Sequence, residues 1–187
     1  MSGRRRSGAP RPEPELGPQV GDERRRPPLP TPDAGRGLVR ANLIGTAVFV
    51  AACVGEVVAP SGFTLVLVVV SLVWFAVGTV GFMAAYVIAI GRSRTEAIGM
   101  GGLFFLAGCA PRRTQVVMMA AWAIQIVVAF VVASLGVFTG AAFALLAPMF
   151  GIGIAGLWSA RHGSFPPRVD PSSPRRPPPP QQTGETS

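Results

Sequence analysis

The fold is decided by residues 63–90, which read FTLVLVVVSLVWFAVGTVGFMAAYVIAI and contain no charged side chain. A transmembrane helix needs about 20 mostly apolar residues to cross a hydrocarbon core of about 30 Å. This stretch is longer than that minimum. We therefore predict a membrane-spanning helix that is tilted or extended at its inner end.

Three further stretches, residues 42–59, 116–135 and 141–160, are apolar over nearly the same length. Short turn signals separate the first stretch from the second (60–62) and the third from the fourth (136–140). Connections this short force antiparallel neighbours. The sequence therefore predicts an all-α membrane protein whose four transmembrane helices form two helical hairpins.

The composition outside the four stretches is different. The chain of 187 residues has 19 prolines, and 16 of them fall in residues 1–37 and 163–187. Both ends lack the apolar residues needed for a core, which predicts disordered cytoplasmic tails around a membrane domain of residues 38–162. With 49% hydrophobic residues and a mean hydropathy of +0.45, a soluble domain or a secreted disulfide scaffold is a poor fit.

The charges predict an orientation. All 17 basic residues are Arg: nine precede the first helix, four lie between the second and third, and four follow the fourth. The two short turns have none. Four crossings place every Arg on one side of the membrane, which the positive-inside rule identifies as the cytoplasm. We therefore predict that both termini are cytoplasmic.

Residues 97–110, AIGMGGLFFLAGCA, form a shorter apolar stretch between the second and third helices. A helix of that length reaches only about 21 Å, too short to span. If it crossed, Arg112 and Arg113 would move to the other side and break the charge pattern. We predict an interfacial or partly re-entrant segment, with spanning as the alternative. Ser93 and Glu96 have the spacing of a capping box, which predicts the start of a short helix.

Glu56 is the only acidic residue within a predicted span. A carboxylate inside a membrane is costly and prompts a functional hypothesis such as proton or cation handling. Glu56 lies four residues before Pro60, near the outer interface, where its side chain can reach water. An interfacial residue without a special role is therefore the competing interpretation.

Gln125 lies near the middle of the third predicted helix. Small residues let helices approach closely, and an amide can form a hydrogen bond across the contact. Packing is the first interpretation of Gln125, and a pore-lining polar residue is the alternative. The fourth helix has a comparable row of small residues and a proline, Pro148, that predicts a kink. The two rows that we expect to face each other are Ala121, Gln125, Ala129 and Ala133, and Ala147, Gly151, Ala155 and Ser159.

The sequence offers no set of residues for catalysis or for holding a cofactor or metal. It has one histidine, His162, and no phosphate-binding loop, dinucleotide fingerprint, zinc-protease motif or nucleophile elbow. We predict a protein that is not an enzyme and has no cofactor. Topology already accounts for the Arg residues, so no nucleic-acid partner is expected. The expected partners are the lipid bilayer and other membrane proteins or a second copy of the chain.

Two segments, LFFLAGCAPRRTQ (103–115) and PMFGIGIAGLWSARHGSFPPR (148–168), resemble small multi-pass membrane proteins of uncharacterised function that recur in actinobacteria. The resemblance covers residues 103–168. It implies a location in a bacterial plasma membrane, and it implies no reaction, cofactor or partner.

Two functions remain open from the sequence. The first is a non-enzymatic accessory or scaffold subunit that packs against other membrane proteins. The alternative is a small oligomeric transporter or channel that uses Glu56 and Gln125, since four helices rarely enclose a pathway alone.

Overall fold

The computed structural model describes residues 28–31, 33–136 and 139–168. Within them all regular structure is helical, apart from one isolated bridge between Glu96 and Pro167. The all-α prediction is confirmed for these residues. The helices are α1 (Arg36–Val58), α2 (Pro60–Arg92), α3 (Met100–Phe105), α4 (Arg112–Leu135), a 3₁₀ helix (Gly140–Leu146) and α5 (Pro148–His162).

Four helical stretches in the described part of the chain are long and apolar enough to cross a membrane: Arg36–Val58, Gly62–Arg92, Arg112–Leu135 and Gly140–His162. Each overlaps one predicted span, so the count of four is confirmed. The hairpin pairing and the cytoplasmic location of both termini stay predictions.

The helix ends define the two ends of the bundle. The first turns of α1 and α4 and the last turns of α2 and α5 lie together, and we call this the arginine end. Three Arg residues from α1 and α4 line one groove there: Arg36, Arg40 and Arg113. Arg92 of α2 contacts the end of α5 at the same end. Glu56 lies at the opposite end, which we call the Glu56 end.

The junction between α1 and α2 is tighter than the predicted turn over residues 60–62. Only Ala59 separates the two helices, and Pro60 is the first residue of α2. Proline suits this position because its fixed φ matches a helix and its missing N–H would have no partner in the first turn. The predicted turn therefore belongs to the first turn of α2.

Pro148 does more than kink the fourth span: it separates two helices of different type. Residues before it form the 3₁₀ helix, and α5 begins at Pro148 itself. A proline inside a helix removes a backbone donor and clashes with the preceding turn, which explains the change of helix type. Thr139 caps the 3₁₀ helix by accepting the Ala141 N–H at 3.2 Å.

The closest helix contact is between α2 and α5, at two glycines. A Cβ atom on Gly153 would lie 2.1 Å from the Gly78 carbonyl oxygen, and one on Gly78 would lie 2.3 Å from the Met149 carbonyl oxygen. No side chain fits at either position. The two backbones therefore touch directly, as small residues allow in membrane helix pairs.

Residues 97–110 do not span the bundle. Their only helix, α3, has six residues, and Leu106 and Gly108 follow it with positive φ values of 56° and 72°, so the chain folds back. The hydroxyl of Ser159 in α5 donates to the Leu103 carbonyl oxygen. The segment is thus packed against α5 at the arginine end.

The predicted capping box at Ser93 and Glu96 is wrong. Ser93 follows the last turn of α2 and its hydroxyl donates to the Ile90 carbonyl oxygen at 2.7 Å. Glu96 pairs instead with Arg92, with 2.8 Å between their charged atoms. Helix α3 begins four residues later, after Gly99, with no side-chain cap.

The tail boundaries also need correction. Residues 163–168, predicted to be disordered, cross the segment after α2: Ala97 N–H donates to the Pro166 carbonyl oxygen at 2.8 Å, and Ser164 N–H to that of Cys109 at 3.0 Å. The chain before α1 is also held, because the Trp158 indole donates to the Ala34 carbonyl oxygen at 3.1 Å. The predicted disorder of residues 1–27 and 169–187 lies outside the described residues.

Candidate functional site

Gln125 joins three helices in the middle of the bundle. Its side chain is fully buried, and its amide Nε2 donates to the Thr46 hydroxyl of α1 at 2.6 Å. Its Oε1 accepts the Gly151 N–H of α5 at 3.2 Å.

Two further polar bonds have their acceptors on α1. The Thr46 hydroxyl donates to the Asn42 carbonyl oxygen at 2.8 Å. The indole N–H of Trp74, on α2, donates to the Gly45 carbonyl oxygen at 2.9 Å. Polar bonds therefore link α2 to α1, α4 to α1 and α5 to α4.

This geometry favours the packing interpretation of Gln125. Each end of its amide bonds a protein group, and the whole side chain is buried within the bundle. The two small-residue rows do meet at this point, through the bond between Gln125 and Gly151. The sequence indicated the rows, but it could not indicate that Thr46 would complete the set.

Glu56 is buried by its own chain, with 7% of its surface exposed. Its Oε1 accepts the Thr64 hydroxyl at 3.0 Å, whereas its Oε2 is buried and has no hydrogen-bond partner among the described residues. The side chain faces a cavity of about 320 Å³ between α1, α2, α4 and the 3₁₀ helix. The other lining residues are Val57, Thr64, Val132, Leu135, Gly136, Thr139 and Ala141.

The structure does not bring Glu56 and Gln125 together. Gln125 does not line the cavity at Glu56. Its partner Thr46 lies ten residues before Glu56 on α1, which is about 15 Å along the helix axis. A shared site built from both residues is therefore not formed within one copy of the chain.

The arginine end carries a feature that the sequence did not single out as a site. Arg36, Arg40 and Arg113 line a groove of about 460 Å³ between the first turns of α1 and α4. The positive-inside rule alone explains these residues in the sequence. Their position at the start of two spans is the one sequence feature that hints at a groove. Only the fold shows that the two helix starts are adjacent.

The described part of the chain also contains side chains of the types that bind metals, and two thiols. No group of three or more His, Cys, Asp or Glu side chains lies together there. Cys53 and Cys109 are free and buried. Burial raises the pKa of the Cys109 thiol to about 11, which outweighs a backbone hydrogen bond and the charge of Arg92. The thiol is thus protonated at neutral pH, and a thiolate is the reactive form.

Comparison of the chain with protein-family models, with curated proteins and with solved structures found no match. Function therefore has to be argued from the chemistry of the site rather than from the fold, because one fold hosts many functions.

Proposed function

We propose that the protein is a non-enzymatic accessory subunit of the membrane, which binds another membrane protein through the outer face of α2. The observation that carries this proposal is the small fraction of α2 covered by its own chain. In the membrane-spanning part of α2 only 22% of the most apolar window is buried, against 50% in the span that contains α5.

The outer face of α2 has the shape for a close helix contact. With 33 residues, α2 is about 50 Å long. Thr79, Val80, Met83, Ala84 and Val87 line a shallow groove of about 490 Å³ on it, together with Ile88. Thr79 and Ala84 are small, and small residues allow helices to pack closely in membranes.

The polar groups and close contacts in the middle of the bundle are used between its own helices, which leaves the outer surface for binding a partner. The buried amide of Gln125 and the glycine contact between α2 and α5 hold the helices together. A bundle held in this way, with one uncovered long helix, is suited to presenting that helix to a partner.

Photo-crosslinking at native expression level tests the proposal. A photoreactive residue at Val80 or Val87 should form an adduct with another membrane protein, identified by mass spectrometry. The control position is Phe130, which is 61% exposed on α4. Adducts of equal yield and identity at Phe130, or a protein recovered alone from the α2 positions, would contradict the proposal.

A second function has one observation in its favour. The half-partnered, buried carboxylate of Glu56 lines a cavity, as expected of a small oligomeric transporter or channel that handles a proton or cation. Flux in proteoliposomes decides between the two functions. Under the transporter hypothesis Glu56→Gln lowers flux at least tenfold, while unchanged flux in both Glu56→Gln and Gln125→Ala removes these residues from the mechanism. No flux in the unmodified protein favours the accessory subunit.

A further inference from the structure

Three shallow grooves follow one another along the outer side of the bundle between α1 and α4. The first is the one of about 460 Å³ at the arginine end. A second, of about 620 Å³, follows and shares Leu43 and Val117 with the first. A third, of about 270 Å³, shares Val50 with the second and reaches Val58. These three are the sections of what we call the α1–α4 groove.

Among the described residues, the arginine end of the α1–α4 groove is lined by three Arg and one acidic residue, Asp33. Arg40 and Arg113 make no ion pair and no side-chain hydrogen bond with any residue that the structure describes. Arg36 is paired with Asp33, which also lines the groove, and both side chains are 64% exposed. Two guanidinium groups from different helices therefore have no anionic partner among the described residues, and both are free in this part of the chain to bind an anion.

The helix starts add to this charge. α1 begins at Arg36 and α4 at Arg112, and neither has an acidic residue in its first turn or a side-chain cap. The first N–H groups of a helix lack partners within it and carry partial positive charge. The guanidinium groups and both helix starts thus favour the same ligand, a phosphate-like anion.

The rest of the α1–α4 groove is apolar. Three exposed alanines, Ala47, Ala51 and Ala120, open its second section between larger side chains. From Leu43 to Val57 the groove follows 15 residues of α1, which span about 21 Å along the helix. One leaflet of the hydrocarbon core is only about 15 Å deep, so an acyl chain fits within the groove.

We propose that the α1–α4 groove binds an anionic phospholipid, with its phosphate on Arg40 and Arg113 and an acyl chain along the alanines. Charge and shape select this occupant over two others. A free anion would leave the apolar sections empty. A second copy of the chain, packed parallel, would bring its own Arg residues against the same positive cluster, which is unfavourable. The proposal is independent of the α2 surface and of the accessory function.

Lipid binding to the purified full-length chain in detergent tests the headgroup part. Native mass spectrometry with phosphatidylglycerol and phosphatidylcholine of the same acyl chains should show at least tenfold preference for phosphatidylglycerol. Arg40→Gln/Arg113→Gln should weaken phosphatidylglycerol binding about tenfold or more, because both charge-assisted hydrogen bonds to the phosphate are lost. The matched control is Arg94→Gln/Arg161→Gln, two exposed Arg at the same end but outside the groove.

A second pair of variants tests the acyl part. Ala51→Leu/Ala120→Leu fills the α1–α4 groove and should weaken phosphatidylglycerol binding severalfold with all Arg residues intact. Ala76→Leu/Ala123→Leu adds the same volume at exposed positions away from the groove and should change nothing. All eight positions are exposed, so circular dichroism and a single elution peak are expected to show a folded protein in each case.

Three results would overturn the proposal. Equal binding of the two lipids removes the headgroup preference. An equal loss in the Arg94/Arg161 control shows general surface charge rather than a site. Full displacement of phosphatidylglycerol by inorganic phosphate, together with no effect of the groove-filling variant, shows an anion site that does not hold a lipid.

Discussion

The guanidinium group of Arg92, in the last turn of α2, donates to the carbonyl oxygen of Ala160 near the end of α5 at 2.8 Å. It also donates to the Gly163 carbonyl oxygen at 3.0 Å and pairs with Glu96. The last carbonyl groups of a helix have no partner within it. Arg92 therefore caps a helix other than its own, and it holds the chain on both sides of that helix end.

Arg92→Ala should loosen the arginine end without unfolding the bundle. Hydrogen bonds to a charged group contribute about 1.5–3 kcal/mol, and the partial exposure of Arg92 puts the expected loss at the lower limit. Amide hydrogen exchange should rise in residues 97–110 and 163–168 and stay unchanged in the middle of α4. Arg94→Ala, at an exposed position two residues away, should leave exchange as it is. Equal exchange in both variants would show that Arg92 caps nothing.

Gly78→Ala should destabilise the helix pair of α2 and α5 strongly. The added methyl group would lie 2.3 Å from a backbone oxygen, which cannot move aside as a side chain can. We expect a loss of about 3 kcal/mol or more, at the upper end of overpacking effects. Gly91→Ala, on the same helix with nothing near its Cβ position, should be neutral or stabilising by about 0.5–1 kcal/mol. Thermal unfolding in detergent measures both, and similar melting temperatures would disprove the close contact.

Gln125→Leu should lower stability by about 1–2 kcal/mol. It removes two bonds between helices, and such bonds in membrane proteins average about 0.6 kcal/mol with a maximum near 1.7. A double-mutant cycle with Thr46→Val isolates one of the two bonds by unfolding in a denaturing detergent. If the two substitutions are additive, Gln125 and Thr46 do not interact in the bilayer-like environment.

Cys109 should be unreactive toward alkylation at pH 8 in the folded protein. In a Cys53→Ala background, labelling by iodoacetamide is expected to accelerate as the pH approaches the raised pKa of about 11. The unfolded thiol titrates near 8.5, so this thiol's contribution to stability is present below that pH and is lost as the pH rises toward 11. Labelling at pH 8 as fast as in the denatured chain would contradict the buried position.

The sequence predicts those parts of the fold that depend on length and charge. The 28 uncharged residues from 63 to 90 require a spanning helix wherever their neighbours lie. The Arg residues, counted by segment, predict which helix ends share one side of a membrane. Span length and the distribution of Arg each depend on one segment and on the bilayer. They can therefore be predicted without knowing how the helices pack.

The parts that the sequence does not predict depend on contacts between distant segments. Gln125 and Thr46 are 79 positions apart, and Gly78 touches Gly153 across a similar distance. Nothing in the local pattern of either helix selects these partners. The sequence places the six residues after α5 in a tail for the same reason, since only their bonds to the chain after α2 show that they are part of the fold.

These six residues also have a consequence for the order in which the protein is completed. They are made after all four spans, yet Ser164 and Arg168 supply the N–H groups that the Cys109 and Thr95 carbonyl oxygens accept. A nascent chain that has inserted its helices still has an unfinished arginine end until residue 168 emerges from the ribosome. Contacts of such long sequence separation form late. The bonds of residues 163–168 are thus the last to form at the arginine end. A truncation before Ser164 should leave a protein whose helices are inserted but whose arginine end lacks these bonds.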